Sequence, residues 1–163
     1  MKVVTTRFGV IDVDDSSAIN LVWGLLGFES CKRYCLYRHR PDVKFWWLQS
    51  LEDPGLAFVV IDPSEYFADY EFEMSDADAA KIRLSRPEDA MTLAIVTIPK
   101  NAEEATVNLA APIVINSRER IGIQAVSQDN KYLTKEPLGR KQVQQCKAKD
   151  SQACTTSAAT KAA

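Results

Sequence analysis

Apolar and polar positions in this chain recur mostly with the two-residue period of strands, in short runs broken by turn residues. Residues 3–6 and 10–13 flank Phe8-Gly9, the signal of a tight hairpin. Residues 32–39 alternate weakly, with Tyr34, Leu36 and Arg38 sharing one face. Phe45-Trp-Trp-Leu-Gln-Ser50 and Leu56-Ala-Phe-Val-Val-Ile61 are apolar runs separated by Glu52-Asp-Pro-Gly55. Proline presets φ at one turn position and glycine tolerates positive φ, so this is the clearest hairpin in the chain, with Gly55 expected at positive φ. Trp47, Leu48, Phe58 and Val60 are its core candidates. Tyr70-Glu-Phe-Glu-Met74 alternates strictly and predicts a strand with Tyr70, Phe72 and Met74 inward and Glu71 and Glu73 outward. Ser75 predicts the cap of a helix over 76–84, whose early acids suit the positive end of its dipole. Pro87 opens a short helical turn through Ala90. Strands return at 92–98, 105–109, 112–116 and 121–126.

Short strands without regular strand–helix alternation predict a mainly β, single-domain fold: an antiparallel β-barrel or sandwich with one or two short inserted helices. Barrel closure removes exposed sheet edges. At 163 residues and 46% apolar composition the chain can bury one core without disulfide or metal staples. Beyond Gly139 the single large apolar side chain is Val143, so the reading is a domain over 1–138 and a basic, mobile tail over 139–163. The longest clean apolar run is 56–61, too short to span a membrane, and residues 1–8 lack the apolar stretch of a signal peptide. A cytoplasmic location is expected.

The net charge is only −2, but its placement is uneven. Residues 139–163 hold five basic side chains and one acid, leaving 15 basic and 21 acidic ones on 1–138. Eleven acids fall between Glu52 and Asp89 against Lys81, Arg83 and Arg86 alone, whereas Lys32, Arg33, Arg38, Arg40 and Lys44 form a basic stretch. One strongly acidic region is expected, which repels nucleic acid and attracts basic proteins.

Motifs of catalysis are sparse. There is no glycine-rich phosphate loop, no G-x-S-x-G elbow and no paired histidine motif. Cys31 and Cys35 are spaced unlike zinc knuckles or redox pairs, and His39 is the single histidine. A thiol nucleophile there would lack an orienting acid and an oxyanion loop. Asp53, Asp62 and Asp69 sit in turn-like surroundings that account for their carboxylates. No cofactor and no metal are expected. Phe45-Trp46-Trp47 after the basic stretch could form a single-strand RNA platform, with Trp46 and residues 32–44 as its elements. Strand alternation puts Phe45 and Trp47 on one face and Trp46 on the other, so one side belongs to the core.

Several blocks in order carry a family resemblance. Gly24-Leu-Leu-Gly-Phe-Glu29 is similar to a G-L-P-G-F-E motif, with Leu26 in the place of proline. Phe45-Trp-Trp-Leu-Gln-Ser-Leu-Glu-Asp-Pro-Gly-Leu-Ala-Phe-Val-Val-Ile-Asp-Pro63, Tyr66-Phe-Ala-Asp-Tyr70 and Ala94-Ile-Val-Thr-Ile-Pro99 follow. Thr106-Val-Asn-Leu-Ala-Ala-Pro-Ile-Val-Ile-Asn116 and Arg120-Ile-Gly-Ile-Gln124 complete the set. Over about residues 1–138 the chain resembles the FliW flagellar assembly factors. The resemblance implies a non-enzymatic cytoplasmic protein that binds flagellin and also binds and antagonises CsrA, a small RNA-binding translational repressor, so relieving repression of flagellin mRNA. It implies no direct contact with nucleic acid or membrane. An acidic surface suits a partner built to hold RNA phosphates. That surface is expected on Asp62, Glu65, Phe67, Asp69, Tyr70, Glu71 and Glu73, with Asp76 just beyond. The alternative reading is the RNA-binding barrel built on Trp46 and the stretch 32–44.

Overall fold

The computed structural model describes residues 1–138, so the tail expected over 139–163 lies outside the described residues. In chain order the strands are β1 (Lys2–Thr5), β2 (Gly9–Asp12), β3 (Ile19–Leu21), β4 (Arg33–Tyr37), β5 (Trp46–Ser50) and β6 (Ala57–Ile61). Two short helices follow, α1 (Pro63–Tyr66) and α2 (Asp76–Lys81). Then come β7 (Ala90–Thr97), β8 (Thr106–Val107), β9 (Ile113–Asn116), β10 (Ile121–Gln124) and β11 (Glu136–Pro137).

β1 and β2 form a separate hairpin, and the other strands form one sheet that closes on itself. The ring runs β7-β6-β5-β4-β3-β10-β9 and back to β7, a barrel of seven strands. Closure depends on the length of β7. Its first half, Ala90 to Leu93, pairs with β9, and Ala94 to Val96 pair with β6. β8 and β11 extend the sheet from the far end of β7. All pairings are antiparallel except β3 with β10, which run parallel. The expected mainly β barrel with short inserted helices is the fold observed, and the parallel closure is the departure from it.

Both faces of β5 and β6 are covered, which is why their sequences read as continuous apolar runs rather than alternating ones. Leu48, Phe58, Val60 and Ile95 pack inside the barrel with Ile19, Leu21, Tyr34 and Ile113. Trp47, Val59, Ile61, Ala94 and Val96 face outward, under Phe8 of the hairpin and under Tyr66, Phe67, Tyr70 and Tyr132. A second outer cluster, Ile82, Val114, Ile123 and Ala125, lies under Phe72 and Met74. Gly122 faces inward, where an added Cβ would stand 2.9 Å from both Ile115 Cγ1 and Leu21 Cδ2. The interior layer closes tightly because that position carries no side chain.

The 52–55 turn is where expected, but Gly55 does not have positive φ. Side-chain acceptors hold the turn instead. Ser50 Oγ accepts the N–H groups of Glu52 and Asp53, and Asp53 Oδ1 accepts that of Gly55. The strand expected over 70–74 is also corrected: these residues join no sheet. Their burial still alternates, with Tyr70, Phe72 and Met74 half-buried and Glu71 and Glu73 exposed, because the apolar side chains cover the outside of an already complete barrel. α2 has the expected Ser75 cap, whose Oγ accepts the Asp78 N–H at 3.1 Å, but it stops at Lys81. Arg83 adopts φ 55°, and the buried Asn116 amide donates to the carbonyls of Ile82 and Arg83, terminating the helix early.

Candidate protein-binding surface

The acid-bearing residues between β6 and α2 divide by what their side chains do. Asp62 caps α1, accepting from the N–H and hydroxyl of Ser64 at 2.9 and 2.6 Å, with Pro63 in the first turn. Its carboxylate is thereby committed to the helix start. Glu65 projects from α1 into solvent. Phe67 ends that helix, half-buried against the outer cluster, and its N–H donates to the Pro63 carbonyl.

From Asp69 onward the chain forms a strap over the barrel wall, fixed by two tyrosines. The Tyr70 hydroxyl donates to the Leu109 carbonyl at 2.9 Å. Burial, with the neighbouring Tyr132, pushes the Tyr70 phenol above its ordinary value, so it stays a neutral donor. Tyr132 brackets the strap from the other side: its hydroxyl donates to the Asp69 carbonyl and accepts the Glu71 N–H. The two rings lie 4.8 Å apart. These bonds replace the sheet ladder that the strap lacks.

Asp69, Glu71 and Glu73 are therefore exposed on a held backbone. Among the described residues no cation lies within ion-pair distance of these three or of Glu65. Past them a cavity of about 170 Å³ has Phe72, Met74 and Val126 as its apolar walls and Glu73, Asp78 and Asp129 as its acids. Asp78 also meets Lys81 at 3.0 Å, which holds its carboxyl below the ordinary range. A largely polar trough with one apolar side and carboxylates at its edge suits the charged head of lysine or arginine, with the aliphatic stem along the apolar side.

The structure brings Asp69, Tyr70, Glu71 and Glu73 onto this strap, and leaves Asp62, Glu65 and Phe67 on α1 before it. Sequence reasoning missed Tyr132 and Leu109, which position the strap. The available signal was an aromatic side chain isolated in the polar stretch 127–131 and its neighbours.

The other candidate residues are engaged differently. Trp46 is half-buried against the barrel interior, and the Arg38 guanidinium lies 4.0 Å above its ring, covering one face. Cys35 is buried, and desolvation pushes its thiol up to about 11; Cys31 is half-buried. His39 stacks on Phe8 with ring centroids 5.4 Å apart. Among the described residues no group of three or more His, Cys, Asp or Glu side chains could hold a metal ion, and no helix is long and apolar enough to cross a membrane.

Barrel and strap together define a small closed-barrel protein whose distinctive chemistry is an acidic outer face. The model of the family described as FliW protein matches residues 2–138. A flagellar assembly factor FliW of Natranaerobius thermophilus is 43% identical over 139 residues, covering 85% of this chain and 92% of the relative. One of Magnetococcus marinus is 40% identical over 139 residues, covering 85% of each. A crystal structure of the flagellar assembly factor FliW superposes with a TM-score of 0.79 at 31% identity, over 86% of this chain and 99% of the other. The chain belongs to the FliW family of flagellar assembly factors.

Proposed function

We propose that this protein works in the cytoplasm as a two-partner switch, binding flagellin and binding and antagonising a CsrA-type translational repressor, without catalysing a reaction. Flagellin occupies the factor while it accumulates. Once flagellin is exported, the factor captures the repressor and translation of flagellin mRNA resumes. The observation that carries the repressor surface is the strap itself: Asp69, Glu71 and Glu73 are exposed, form no ion pair among the described residues, and stand on a backbone pinned by Tyr70 and Tyr132. Carboxylates held in place lose little freedom when a basic partner docks, and the same field repels the RNA that competes for that partner.

Asp69→Lys with Glu71→Lys tests this surface. Stability should change little, because both side chains are exposed. CsrA association should slow, with a deficit that shrinks as salt rises. Flagellin binding, relying on apolar anchors, should survive. Unchanged CsrA association at low salt in a folded double variant would overturn the assignment. The second reading, a single-strand RNA-binding barrel, rests on Trp46 and the basic residues 32–44. A gel shift with single-stranded RNA at low salt separates it, since an acidic adaptor should give none.

A further inference from the structure

The mouth of the barrel holds a second cavity, of about 340 Å³, which shares no lining residue with the acidic one. Its floor is made by Leu25, Phe58 and Ile95, all buried members of the interior cluster. Barrel mouths and apolar pockets of this size are where small ligands are commonly held. The rim is polar, and its groups are unequally committed. Both ends of the Gln124 amide are engaged, one accepting the Leu26 N–H and the other donating to the Ala111 carbonyl. Asn108 Oδ1 accepts the Ala111 N–H, while its NH2 makes no hydrogen bond among the described residues. Lys135 is exposed, and its ammonium forms no ion pair among the described residues.

An apolar floor beneath two uncommitted donors, one of them cationic, asks for an apolar group that carries an anionic acceptor. The rim is also pre-formed. Gly24, at φ 70°, lets the loop pack so closely that an added Cβ would lie 2.8 Å from the carbonyl oxygens of Phe28 and Cys31. Leu25 and Phe28 form a β-bridge, and the Phe28 ring meets Phe58 edge-on at 5.1 Å. A site already shaped loses less on binding than one that must order itself.

We infer that this cavity binds a small amphiphilic carboxylate, its chain against Leu25, Phe58 and Ile95 and its head on Asn108 and Lys135. Decanoate titrated into the full chain, followed by amide NMR, tests it. Saturable shifts are expected at Leu26, Gly27, Thr97 and Asn108. Lys135→Glu should weaken binding by about tenfold, the loss of a charge-assisted contact. Thr97→Trp, which continues the inward face of β7 into the mouth, should abolish it without moving the Asp69 and Glu71 amides. Because Thr97→Trp carries some risk to folding, the surface variant Lys135→Glu stands as the independent arm. Shifts that never saturate, shifts elsewhere on the barrel, or equal affinity for the uncharged decanol would overturn the inference.

Discussion

The Tyr132 hydroxyl accepts the Glu71 backbone N–H at 2.9 Å, and this bond ties the acidic strap to a residue 61 positions away. Removing the hydroxyl leaves the ring and its packing on Tyr70 in place, so this bond and the one to the Asp69 carbonyl can be tested apart from packing. Tyr132→Phe should cost about 1 kcal/mol, seen as a fall in Tm of about 2–4 °C. The Glu71 amide should exchange its hydrogen faster while barrel amides do not change. Unchanged exchange at Glu71 would show that the Tyr132 hydroxyl does not hold the strap, leaving Tyr70 and packing to do so.

Gly122 offers a sharper test of the barrel. Its missing side chain lets Leu21 and Ile115 meet inside the ring, and the Val114 carbonyl oxygen stands 3.2 Å from where a Cβ would be. Gly122→Ala should therefore destabilise by about 1–3 kcal/mol through overpacking, and Gly122→Val by more. Chemical denaturation checks it. Gly55→Ala is the contrast: the turn has no positive φ there and the added Cβ meets nothing closer than 3.4 Å, so stability should hardly change.

Glu52 predicts a pH dependence. Its carboxylate accepts the N–H of Arg33 and also that of Lys32, which lowers its pKa from the ordinary 4.5. A depressed folded pKa contributes stability that is complete above 4.5 and is lost as pH falls through the folded value. Glu52→Gln should cost about 1 kcal/mol near neutrality, after allowance for solvent exposure, and the gap to wild type should close in acid. Denaturation curves along a pH series would read it, and a gap that stays constant would rule it out.

Thiol chemistry separates Cys31 from Cys35. With its thiol pushed up to about 11 and its side chain buried, Cys35 should resist iodoacetamide at neutral pH until the protein unfolds. Cys31, half-buried, should label before Cys35. Peptide mass mapping over a time course distinguishes them, and rapid alkylation of Cys35 in the native protein would show that the β4 wall opens.

Strands long enough to show a period were legible in the sequence, and so was the turn between β5 and β6. β3, with three residues, and β11, with two, are set by their neighbours in the sheet and carry no periodic signal of their own, whereas the strand expected over 105–109 is present but shortened to β8. The parallel pairing of Ile121 and Gly122 with Asn20 and Leu21 joins segments about a hundred positions apart, which local patterning does not encode. Residues 70–74 show the opposite error: strict alternation was real as burial and wrong as pairing, since covering a barrel from outside imposes the same in–out pattern as joining it. For the acidic surface, composition located the carboxylates. The Tyr132 and Leu109 contacts that position them came only from tertiary structure, and the capping duty of Asp62 depended on an α1 that its few residues did not announce.

That parallel closure has a consequence for synthesis on the ribosome. β3 is among the first strands to emerge, yet its partner on one edge, β10, is among the last, and backbone bonds from Asn20 to Arg120 and from Val22 to Gly122 wait for it. Until then the nascent sheet has an open seam along β3, the kind of edge that chaperones and proteases recognise. A message broken before codon 121 would release a chain that cannot close its ring, whereas one completed through β10 can. Vectorial translation thus makes completion of the ring a late, all-or-none check on the integrity of the factor.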